Sequence, residues 1–96
     1  MGCLSVTANA ESEQADVGKA VEILGESVAF DTVEGRGQVP AYAAYLAREL
    51  IAGGFAEDDV ATEPFGETAT LMAYYAGRSG ATPIVLNAHM DVVEAD

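Results

Sequence analysis

The chain carries one cysteine, Cys3, which excludes an internal disulfide and any zinc site built from several thiolates. Basic residues are nearly as scarce: four lysines and arginines stand against sixteen acids, a formal net charge of −12. That balance argues against nucleic acid and against an anionic membrane as partners. The acids are scattered, with Glu57-Asp58-Asp59 the only run, so they read as a solvated surface. They lack the alternation of oxygen ligands, closed by a glutamate, that a calcium loop requires. No apolar run reaches the roughly 18 residues that would suggest a membrane-spanning helix. Internal repeats and low-complexity stretches are also missing. Histidine occurs once, as His89.

What is present suits one small domain, because half of the 96 residues are hydrophobic. The opening MGCLSVTANA ends in Ala8-Asn9-Ala10, which fits the small-residue pattern of a signal-peptidase site before Glu11. Residues 1–10 are therefore expected to be a signal-peptide remnant, with a periplasmic or secreted location. The opening has no basic n-region, and a cytoplasmic N-terminus is the alternative.

Ser12 is placed to cap a helix running to about Ala29. Val17, Val21, Leu24 and Val28 recur along it as one apolar stripe, predicted to face the core. Its interior glycines, Gly18 and Gly25, each cost about 1 kcal/mol relative to alanine, so packing must support it. Residues 31–38 form a loop, in which Arg36 reads as a solvated arginine. A second helix starts near Pro40 and stops at Gly53-Gly54, with Val39, Tyr42, Ala43, Leu46 and Leu50 as its buried face. Strands follow at Val60 to Glu63 and Thr68 to Ala76, the latter apolar on both faces and expected inside a sheet. Two helices and then three strands predict an α/β fold, the helices packed on a mixed sheet.

The third strand is the stretch that organises the chain. Pro83 to Val93 reads PIVLNAHMDVV, an apolar run that ends in His89, with Asp91 two residues on. It is expected to be a buried strand. Ligands of open α/β sheets gather at the carboxyl ends of strands, where His89 falls. In extended chain, residues i and i+2 share a face, so Asp91 lies beside His89. A neutral imidazole that binds a metal through one nitrogen needs the other N–H held by an acceptor, often a carboxylate. The plainer alternative is a hydrogen-bonded histidine at a strand end, with Asp91 opening a solvated turn.

The segment NAHMDVVEA after PIVL resembles the first metal-binding motif of the co-catalytic zinc peptidases that include aminoacylase, glutamate carboxypeptidase, acetylornithine deacetylase and succinyl-diaminopimelate desuccinylase. Upstream, AVEILGESVAFDTVEGRGQVPAYAAYLARELIAGGF resembles their paired opening helices, so the likeness runs from about Asp16 to Glu94. One departure is Ala88, where relatives commonly carry glycine. The resemblance implies that His89 is a zinc ligand and Asp91 the catalytic-site aspartate that orients it. It also implies two zinc ions, with the bridging aspartate, the glutamate pair and the remaining ligands downstream of this motif. Residues 11–96 are then expected to be the N-terminal portion of a metallopeptidase catalytic domain, inactive alone. The parent would be a zinc-dependent hydrolase of small peptides or N-acyl amino acids, closer to the carboxypeptidase and dipeptidase branch, and a homodimer through a domain not contained here. The rival expectation is a non-catalytic α/β interaction module in which His89 is structural.

Overall fold

The computed structural model describes residues 16–95. The cleavage-like Ala8-Asn9-Ala10, the Cys3 thiol and the Ser12 cap lie outside the described residues. In chain order the structure forms helix α1 (Val17–Val28), helix α2 (Val39–Ala52), a single 3-10 turn (Glu57–Asp59), and strands β1 (Val60–Phe65) and β2 (Thr68–Ala73). Two helices and a sheet give the α/β class expected, but the sheet has two antiparallel strands among the described residues where three in a mixed sheet were expected, and α2 lies across both. Parallel pairing is confined to an isolated bridge between Val33 and Val92.

Helix α2 is built as its residues dictate. Pro40 sits in the first turn, where a missing N–H leaves no bond unmade. At the other end Gly54 takes φ +121, a region that disfavours side chains, and the chain reverses. The Phe55 N–H then returns to the Leu50 carbonyl at 3.0 Å and the Gly54 N–H to Ile51 at 3.1 Å, the paired bonds of a Schellman cap. Phe55 ends against Tyr75, edge to face, with ring centroids 5.1 Å apart. Val39 and Ala43 on the inner face of α2 are the buried hydrophobic residues of the described chain.

Helix α1 meets α2 at its polar side. Lys19 pairs with Glu49 of α2 at 2.9 Å, and this hydrogen bond raises the Lys19 pKa. Beyond the helix end, Phe30 stacks on Tyr42 with centroids 5.3 Å apart and also contacts Tyr45. The Tyr45 hydroxyl is buried with no hydrogen-bond partner among the described residues, and the desolvation pushes its pKa up, helped by the Glu49 and Glu26 carboxylates. The apolar stripe, expected to be buried, faces outward: Val17, Val21, Leu24 and Val28 are all exposed. Ile23 and Ser27 take the half-buried positions instead. The stripe marked an amphipathic helix but named the wrong face for the contact with α2, since Ile23 lies beside Leu46, Glu49 and Leu50 of α2 and Lys19 pairs with Glu49.

The hairpin is closed by Gly66-Glu67, with Phe65 opposite Thr68. Gly66 has φ +61 and no non-glycine residue has positive φ, the pattern of a type II′ turn. Pro64 falls inside β1, tolerated because β1 has no neighbour on its far side among the described residues. Gly66→Ala is expected to weaken the hairpin by about 1 kcal/mol, since a side chain at this φ is strained. Amide protection across β1 and β2, measured by hydrogen exchange, should fall about fivefold. Unchanged protection would mean that the turn does not set the hairpin.

Two sequence expectations change here. Strand β2 ends at Ala73 and pairs on one side only, so it is not an interior strand among the described residues. The run from Pro83 joins no ladder, and Ile84, Val85 and Leu86 are 88%, 84% and 93% exposed instead of buried. A strand exists only where neighbouring backbones supply hydrogen bonds, and no described segment flanks this one. No helix of the described residues is long and apolar enough to cross a membrane.

Candidate metal-ligand site

The segment carrying His89 and Asp91 passes beside α2 and β2 without pairing to either. Between them lies an open groove of about 540 Å³, lined by Val39, Tyr42 and Leu46 of α2, by residues 68–71 of β2 and by residues 87–91. His89 therefore stands at the wall of a concave surface next to the sheet, with an exposed side chain.

The expected histidine–aspartate partnership has a specific geometry. His89 Nδ1 lies 2.8 Å from the Asp91 backbone carbonyl oxygen and 3.3 Å from its carboxylate Oδ1. Both oxygens only accept, so the proton sits on Nδ1 and is donated towards Asp91. The lone pair is then left on Nε2, directed away from Asp91. A histidine presented to a metal needs this arrangement: one nitrogen held as a donor, the other free as a ligand. Asp91 contributes through its main chain as well as its side chain, which i, i+2 spacing alone does not reveal.

No family model, curated protein or solved structure matches the chain.

A donor set of one imidazole fits a single coordination position. Among the described residues, no group of three or more His, Cys, Asp or Glu side chains is arranged to hold a metal ion. A catalytic zinc takes about three protein ligands and a two-metal site takes more, so His89 is at most one corner of such a centre.

Two residues near the site, Arg36 and Thr32, make contacts that the sequence did not signal. Arg36 donates from Nη1 to Asp31 and from Nη2 to Glu94 at 3.1 Å. It is a solvent-exposed loop arginine, as expected, and it also joins two carboxylates. Thr32, one residue past Asp31, is 3% exposed, and its carbonyl accepts from the Val92 N–H at 3.4 Å.

Proposed function

We propose that this chain forms the opening part of the catalytic domain of a zinc-dependent hydrolase acting on amide bonds of small peptides or N-acyl amino acids. The observation that carries the proposal is the placement of the His89 ring, whose Nδ1 lies 2.8 Å from the Asp91 carbonyl oxygen and 3.3 Å from its carboxylate, with Nε2 directed away from Asp91. Its exposure speaks against a structural role, since a histidine that holds a fold together is normally packed, and this one has 84% of its side chain in solvent. The groove between β2 and residues 87–91 supports it too, because a ligating group beside a concave wall is where a substrate can approach.

In this reading Nε2 of His89 holds one metal ion and Asp91 fixes the tautomer and the ring orientation. When bound, a pair of zinc ions supplies Lewis-acid polarisation of the scissile carbonyl and lowers the pKa of a nearby water. The remaining ligands and the general base come from elsewhere in the enzyme. Exposed Ile84, Val85 and Leu86 fit that division, since an apolar run of this kind is covered when further strands complete the sheet. The substrate class follows from the resemblance alone.

The test is direct. The complete enzyme, stripped of metal and then titrated with zinc, is expected to bind two ions per chain and to hydrolyse dipeptides or N-acetyl amino acids only in the loaded form. Absence of zinc binding together with full activity in chelator would end the proposal.

A further inference from the structure

The exposed His89 and Asp91 side chains are not held by packing, so their mutual geometry depends on what anchors the backbone around them. On the N-terminal side, no backbone hydrogen bond among the described residues holds 83–90. On the C-terminal side there are two connections, both to the loop that follows α1. Val33 and Val92 form the parallel bridge, to which the bond from the Val92 N–H to the Thr32 carbonyl belongs, and Arg36 joins Asp31 to Glu94.

We infer that Arg36 is a positioning residue for the metal ligand: its guanidinium clasps Glu94 to the loop, and so holds Asp91, three residues before Glu94, against the imidazole of His89. This rests on the reading of His89 as a zinc ligand. A single exposed ion pair contributes little to stability, and Arg36 has 46% of its side chain exposed. Its leverage is geometric. The guanidinium satisfies two carboxylates from its planar fork, which a lysine ammonium reproduces only in part. Without it, Asp31 and Glu94 are like charges with no cation between them, and the 92–94 segment loses its side-chain tie to the loop. The Val92 bond, at 3.4 Å, is long and would not hold the segment alone.

The chain has one histidine, so an imidazole ¹⁵N spectrum reports His89 without overlap. In the complete metal-free enzyme the wild-type ring is expected as the Nδ1–H tautomer, and Arg36→Ala should shift it towards Nε2–H. Zinc affinity at the His89-dependent site, measured by competition with a chromophoric chelator, should fall about 3- to 10-fold, less than for loss of a group bonded directly to the ligand. Arg36→Lys should recover part of both signals, and the metal-free unfolding midpoint should stay within about 2 °C of wild type. Glu94→Gln breaks the clasp from the other side and should reproduce the tautomer shift even where Arg36→Ala folds poorly. An unchanged tautomer and unchanged zinc affinity in both variants overturn the inference. So does a drop in midpoint that accounts for the lost affinity, with no rescue by lysine. If the wild type holds the Nδ1–H form but binds no zinc through His89, the metal reading fails while the clasp survives.

Discussion

His89→Ala is expected to remove one zinc ion and nearly all activity from the complete enzyme. A metal that polarises a carbonyl contributes several kcal/mol to the transition state, and at about 1.4 kcal/mol per decade its loss should lower kcat/KM by at least about 10³-fold. Elemental analysis of the metal-loaded protein and hydrolysis of a dipeptide panel measure the two effects together. Asp91→Asn should be milder, by about 10- to 100-fold, the range for groups that orient a metal ligand. The reason is visible in the geometry: the Asp91 main-chain carbonyl, at 2.8 Å from Nδ1, survives the substitution. A His89→Ala protein with full zinc content and more than a tenth of wild-type activity would contradict the assignment.

The second large effect concerns the 96-residue chain by itself. Among the described residues the buried hydrophobic ones are Val39 and Ala43, whereas Val17, Val21, Leu24 and Val28 on α1 and Ile84, Val85, Leu86 and Val93 near the site are all exposed. The Cα radius of gyration is 16.5 Å, against about 12 Å for a compact chain of this length. With so little apolar area removed from water, burial does not offset the conformational entropy of ordering the chain. The isolated chain is expected to bind a hydrophobic dye, to unfold without one sharp transition and to self-associate at micromolar concentration. Residual order should centre on α2 and the hairpin, the elements that touch most closely. Calorimetry, dye fluorescence and size-exclusion chromatography decide the matter. A monomer with a single cooperative transition and no dye binding would remove the physical motive for treating the chain as part of a larger domain.

Local features were the legible part of the sequence. The second helix was expected between Pro40 and Gly53 and spans Val39–Ala52, because proline and glycine act on the backbone within one turn of themselves. The strand expected at Val60 to Glu63 continues through Pro64 to Phe65, because its partner Thr68–Ala73 extends the pairing to the turn. Properties that depend on a neighbour were not legible. Hydrophobicity at Ile84, Val85 and Leu86 says that these residues seek cover, but not that cover is at hand. On α1, periodicity identified an apolar stripe without saying which face would meet α2. At the candidate site, spacing brought His89 and Asp91 together, since adjacency of i and i+2 is built into extended chain. Arg36 was passed over because its partner Glu94 lies 58 residues away, beyond the reach of any local pattern.

That separation also sets an order of assembly. The α2 cap and the hairpin turn are each complete within a few residues and can form as soon as those residues are synthesised. The strap from Arg36 to Glu94 must first close a loop spanning 58 positions, an entropic toll of roughly 4 kcal/mol before any bond is made. On the proposed reading the segment carrying the imidazole is therefore fastened late, after the scaffold beside it, and the ion-binding role proposed for His89 would be the last to be acquired.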